Sequence, residues 1–192
     1  MKFRNKTHDE SFGSHKIVSK SNSNRVLLVP SYILEQTQKT FRYYWKKNQE
    51  AVAYWCGKEN DQDKTDVVLS IVIPKAFHSG GNYEVPADES TKIGKTLSAR
   101  ELVCLAQIHT HPGDSGNHSW YDDENSISKR NGFLSLVMPH FGNIGIYDIQ
   151  DITVHECWET KWVILDNQAK SKRIVIIDDF VDFRVEDLEY RQ

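Results

Sequence analysis

The stretch Ile108–Asp123, IHTHPGDSGNHSWYDD, constrains this chain more than any other. An apolar run, Leu105 to His109, leads into it and reads as a strand. Side chains at i and i+2 of a strand share a face, so His109 and His111 aim both rings at one point. Pro112 stops the strand, and glycines at 113 and 116 let the chain turn sharply. Ser119 and Asp122 are three apart, neighbours on one helical turn. The loop 112–118 is long enough to return Asp122 to the two imidazoles. Two imidazoles and a carboxylate hold a zinc ion and leave its fourth position open for water.

Neither half of the pattern is decisive alone. Among eight histidines one His-x-His arises easily, and Ser-x-x-Asp is also an ordinary helix start, with Ser119 as cap and Asp122 favouring the dipole. Their joint spacing around a Pro-Gly turn is far more specific. A hydrolase built there also needs a base to take the water proton and pass it to the leaving amine. Glu50 is the candidate, because it opens the otherwise apolar run AVAYWC. Ser119 is a candidate hydrogen-bond donor to the oxyanion of a tetrahedral intermediate. His118, adjacent to the motif, has no simple spacing to the other ligands, and His78, His140 and His155 read as surface or satisfied core residues. Asp123 reads as a first-turn acid that complements the helix dipole.

The remaining segments predict a mixed α/β architecture, α+β-like. A polar stretch over 1–24 containing His8 and His15 reads as a loosely tied extension, followed by a single domain over 25–192. Arg25–Val29 is an expected strand, and Ser31 opens a helix with an aromatic stripe through Phe41 and Trp45. Ala51–Cys56 and Asp66–Ile73 read as a hairpin of buried strands. Residues 75–90 read as a loop, and Thr96–Cys104 as a helix with Ser98 and Glu101 in capping-box spacing. Asp123–Arg130 reads as a polar helical turn or two, and Phe133–Met138 as a strand. Ile144–Ile149 with Ile152–His155, and Trp162–Leu165 with Arg173–Ile177, read as two further strand pairs, the second turning at Asp166-Asn167. The final stretch, 178–192, reads as a short packed element. The helix, hairpin, helix, strand order points to a mostly antiparallel central sheet flanked by helices, not strict βαβ alternation.

Bulk properties exclude several classes. A net charge of −3 gives no footprint for nucleic acid or an anionic membrane surface. The three cysteines, Cys56, Cys104 and Cys157, are too few and too scattered for a disulfide framework and read as buried thiols. No apolar run has the length of a membrane span, and the N-terminus lacks the apolar core of a signal peptide, so a cytoplasmic location is expected.

With Glu50 ahead of AVAYWCG, then HTHP, seven residues from 112 to 118, and SWYD, the chain closely resembles the JAMM metalloproteases, the JAB/MPN domain, over roughly residues 25–155. The segment FLSLVMPHFGN, 133–143, resembles the strand and loop that follow the motif in bacterial members. The resemblance implies a cytidine deaminase-like fold and one catalytic zinc on His109, His111 and Asp122, with Glu50 as base and Ser119 assisting the oxyanion. It implies cleavage of an isopeptide or peptide bond after the tail of a ubiquitin-like protein. Activating and conjugating enzymes are then expected partners, as in bacterial ubiquitin-like or antiviral defence systems, and the loop over 75–92 lies where related enzymes grip the substrate tail. Two other readings stand beside it: a peptidase trimming a ubiquitin-like or sulfur-carrier precursor, and a non-catalytic scaffold of the same fold.

Overall fold

The structure is a computed structural model and describes residues 15–143, 145 and 148–178. Its centre is a mixed sheet of nine strands in the order β1-β10-β9-β8-β7-β3-β4-β2-β11. In chain order these are β1 (Ile17–Val18), β2 (Val26–Pro30), β3 (Val52–Lys58), β4 (Thr65–Val72), β7 (Val103–Thr110), β8 (Leu134–Met138), β9 (Thr153–Trp158), β10 (Lys161–Leu165) and β11 (Ile174–Ile177). A small hairpin, β5 (Phe77–His78) with β6 (Tyr83–Glu84), stands apart. The helices are α1 (Ser31–Trp45), α2 (Ala87–Ser98), α3 (Trp120–Asn125) and α4 (Asn167–Arg173). β3 pairs antiparallel with β4 and β7, and β9 with β8 and β10, whereas β7 runs parallel to β8.

Strand alternation sorts the core onto two faces. Ala53 and Trp55 of β3 join Ile33, Leu34 and Phe41 of α1 on one side. Val52, Tyr54 and Cys56 join Ile93 and Leu97 of α2 on the other. The Trp55 indole, fully buried, donates to the Thr37 hydroxyl at 3.0 Å, which itself donates to the Ile33 carbonyl at 2.7 Å. A buried polar network so satisfied fixes how α1 seats on the sheet.

Several expected elements lie elsewhere. The second helix spans Ala87–Ser98 instead of 96–104. Pro86 begins it, with Asp88 and Glu89 in its first turn, and Glu101 sits beyond its end at φ 52°. Proline's fixed φ suits a helix entry, and Ser98 is the last residue of the helix, not a cap. The helical turn expected over 123–130 is α3, starting earlier behind Ser119. Trp162–Leu165 and Arg173–Ile177 do not pair. Asp166 caps α4 between them, and β11 crosses to the opposite edge to lie parallel to β2. Of the strand expected at 144–149, Ile149 starts a 3-10 turn through Asp151, and residues 144, 146 and 147 lie outside the described residues. Residues 179–192 and 1–14 also lie outside them.

Residues 15–24, expected in a loosely tied extension, are tied to the sheet at two points. Ile17 and Val18 pair with Ile164 and Leu165 of β10. The Ser21 hydroxyl and the Asn22 amide donate to the two carboxylate oxygens of Glu156, at 2.7 and 2.9 Å. Glu156 is fully buried and also takes Arg173 Nε at 3.1 Å.

Candidate metal centre

His109 lies on the face of β7 that looks toward β6 and α3, with the Tyr83 ring 5.5 Å from its own. His111 follows just past the strand end, its backbone N–H bonded to the Met138 carbonyl at 2.9 Å. α3 opens with Ser119 as cap: Ser119 N–H and Oγ both donate to Asp122 Oδ2 at 2.7 Å, and Asp122 N–H donates to Ser119 Oγ at 3.3 Å. The capping box thus grips one oxygen of Asp122 and leaves Oδ1 toward His109. The three side chains meet as expected. His109 Nε2 and His111 Nε2 are 3.2 Å apart, His109 Nε2 is 3.2 Å from Asp122 Oδ1, and His111 Nε2 is 3.3 Å from Asp122 Oδ2.

These lengths fit a metal. Tetrahedral zinc with bonds of about 2.0–2.1 Å separates its ligand atoms by about 3.3 Å. The donor set is also right for zinc: two imidazole nitrogens and one carboxylate oxygen, all buried and within 4.8 Å of one another. His111 Nδ1 donates to the Ser115 carbonyl at 3.2 Å, which fixes the tautomer and leaves the Nε2 lone pair facing the cluster. His109 Nδ1 is buried with no hydrogen-bond partner.

The electrostatics suit a cation. Burial works to raise the Asp122 carboxyl, but the two imidazoles outweigh it and hold it well below the carboxylate range. Burial lowers His109 despite Asp122. His111 is pulled down by burial but raised overall by its contacts with Asp122 and by the nearby Glu50 charge.

Glu50 is buried just ahead of β3. Val52 pairs with His109 across the sheet, so continuing the antiparallel register sets Glu50 opposite His111. Thr110 pins this approach: its N–H donates to the Ala51 carbonyl at 3.0 Å, and its hydroxyl accepts from Ala51 N–H at 2.9 Å. The Glu50 carbonyl accepts from His78 Nδ1 at 2.8 Å, and its N–H donates to the Ser79 carbonyl at 2.8 Å.

Three residues set aside as bystanders lie close to the cluster. His118 is hydrogen-bonded to Asp123 and stacked on His155 beside it, the His118 ring 5.7 Å from that of His109. The sheet register places one member of this group, His155, in a polar row. Gln107, Ser135 and His155 are polar residues in apolar strands, and register partnership sets them in one row across β7, β8 and β9. Gln107 Nε2 donates to the Tyr83 hydroxyl at 2.9 Å, which ties the same row to the ring beside His109.

A buried two-histidine, one-carboxylate cluster on a mixed α/β sheet defines a candidate metal-binding protein. The sequence is 35% identical over 121 residues to the probable metalloprotease y4jG of Sinorhizobium fredii, covering 61% of this chain and 73% of that protein. The chain belongs to the family of that probable metalloprotease, which makes it a metalloprotease-like, hydrolase-class protein. No family model matches the chain. The fold is shared with protein DSY2949 from Desulfitobacterium hafniense, whose solution structure matches at a TM-score of 0.56 and 12% identity, over 80% of this chain and 94% of that one. No helix among the described residues is long and apolar enough to cross a membrane.

Proposed function

We propose that the chain is a zinc hydrolase of the JAMM type that cleaves the amide bond following the tail of a ubiquitin-like protein joined to a target. The observation that carries the metal reading is the convergence of His109 Nε2, His111 Nε2 and the Asp122 carboxylate, with the two nitrogens 3.2 Å apart and one carboxylate oxygen within 3.2–3.3 Å of each. The modifier is the finer part of the proposal and rests on the motif resemblance. Bound zinc supplies Lewis acidity and lowers the pKa of a coordinated water to about 7. Glu50, buried opposite His111, takes the water proton and returns it to the leaving amine. Ser119 spends its one hydroxyl proton on Asp122 Oδ2 in the resting site, so it orients that carboxylate first and reaches an oxyanion only by rotating away.

The test pairs metal analysis with turnover on a ubiquitin-like protein linked to a lysine amine and on a linear fusion of the same protein. Wild type is expected to hold one zinc and cleave the isopeptide, and Glu50→Gln to keep zinc and fold while losing about 10²–10⁴-fold in rate. Zinc content unchanged by Asp122→Ala would sink the ligand assignment, and normal turnover in Glu50→Gln would remove Glu50 as base. Cleavage of the linear fusion alone replaces the proposal with a precursor-trimming peptidase. Zinc bound without turnover of either substrate replaces it with a scaffold.

A further inference from the structure

The proposed chemistry leaves unused a second constellation of His15, His118, His155 and Asp123. His118 Nδ1 donates to Asp123 Oδ1 at 2.9 Å, and its Nε2 accepts from the Ser135 hydroxyl at 2.9 Å. His155 Nε2 donates to the Gly116 carbonyl at 2.9 Å, which leaves its Nδ1 a bare lone pair. That lone pair faces His15 Nδ1 at 3.3 Å, while His15 Nε2 meets Asp123 Oδ2 at 3.0 Å. Proximity alone suggests a second metal cage of three imidazoles. Ring geometry argues otherwise. His118 and His155 stack with centroids 3.7 Å apart and planes 14° apart. Nitrogen lone pairs lie in the ring plane, so these two run side by side and do not converge on one ion. Both His118 nitrogens are also already bonded.

His15 bridges Asp123 and His155, with its Nε2 on the acid and its Nδ1 on the imidazole. His155 is sealed from solvent and touches no acid through its hydrogen bonds. His15 has a fixed origin, because Ile17–Val18 is paired to β10 and Ser21 and Asn22 are bonded to Glu156.

We infer that His15 is a positioning residue for the metal cluster, acting through Asp123 on the first turn of α3. It rests on the reading of His109, His111 and Asp122 as metal ligands. α3 is six residues long, far below the length at which a helix holds itself together. Asp123 follows the ligand Asp122 directly and is gripped from two sides, by His118 and by His15. The loop ahead of α3 is held by His155 through the Gly116 carbonyl. The amino-terminal segment therefore completes a frame around the ligand-bearing turn. Partners of this kind alter metal affinity or activity by about 10–100-fold when removed.

The experiment uses the full chain with His15→Ala, His15→Gln, Asp123→Ala and the double His15→Ala/Asp123→Ala. Zinc dissociation constants come from chelator competition, and the cobalt-substituted protein reports ligand geometry by its visible bands. Expected are zinc binding weakened about 10–100-fold in His15→Ala, shifted cobalt bands, and most of the affinity regained in His15→Gln, whose amide restores a donor to Asp123. The double variant should bind no more weakly than Asp123→Ala alone. Where turnover is measured, kcat should fall with KM little changed. Thr37→Val loses the buried bond from the Trp55 indole but touches neither the amino-terminal segment nor the cluster, and serves as the stability control. Wild-type zinc affinity and cobalt bands in His15→Ala would overturn the inference. So would equal weakening in Thr37→Val, or a second zinc per chain that disappears in His155→Ala. A wild-type chain that holds zinc but hydrolyses nothing rejects the hydrolase proposal while the zinc and cobalt results still decide this one. A chain that binds no zinc overturns both.

Discussion

His118 shows how one ring's surroundings set its protonation. Burial is the largest influence and outweighs Asp123, so the imidazole is pushed down to about 4. Burial likewise holds His155 well below its ordinary value. A histidine kept neutral by the fold takes up its proton more readily when unfolded. Its stability contribution is therefore complete above the ordinary value near 6.5 and is lost as pH falls toward the folded value. For His118 alone the window runs from about 6.5 to 4 and is worth on the order of 3 kcal/mol. His111 has the opposite sign, since its raised value makes its contribution fade only as pH climbs above the ordinary range. Asp123, held down to about 2, loses its contribution only below pH 4. Urea midpoints are thus expected to fall between pH 6.5 and 4.5 in the metal-free chain. A midpoint flat across that interval would contradict neutral burial of these rings.

Among the elements, the loop between His111 and Ser119 leaves little room for change at Gly116. A Cβ on Gly116 would stand 1.9 Å from Thr153 Oγ1 and 2.5 Å from Thr153 Cβ. Thr153 lies in β9, so the loop must be the part that moves. Gly116→Ala is expected to cost about 1–3 kcal/mol and to weaken zinc binding, since the same carbonyl anchors His155. Calorimetry and chelator competition check both, and an unchanged thermal midpoint would show that the loop yields freely. The sequence made such elements legible unevenly. Strands β3, β4, β7 and β8 are apolar on one or both faces, and their periodicity announces them. The start of α2 was missed because Ser98 with Glu101 looks like a capping box, whereas Pro86 followed by Asp88 and Glu89 is an equally good helix entry. The pairing of β11 with β2 was invisible because parallel partnership across the whole sheet leaves no local mark. The grouping of His109, His111 and Asp122 was legible because the three sit in one short stretch. The group of His15, His118 and His155 was not, because only the sheet register brings residues so far apart in sequence together.

Across the whole molecule, the buried Glu156 joins three parts of the chain: Ser21 and Asn22 near the start, β9 itself, and Arg173 at the end of α4. Arg173 also donates to the Gly132 carbonyl at 2.7 Å. Removing one partner of a buried ion pair strands the other without compensation. Glu156→Ala is expected to lower stability by about 3–5 kcal/mol, read from denaturant midpoints. A loss under 1 kcal/mol would mean that solvent reaches Arg173 once the acid is gone. One consequence of the short helix α3 extends to the entire fold. Ser119 caps that helix with the same hydroxyl that holds Asp122, so occupancy of the ligand site and formation of the helix are thermodynamically linked. A metal held there would behave as a folding ligand, adding stability that grows with the logarithm of its free concentration. Stripping it with a chelator should lower the thermal midpoint and release hydrogen-exchange protection first in residues 119–125.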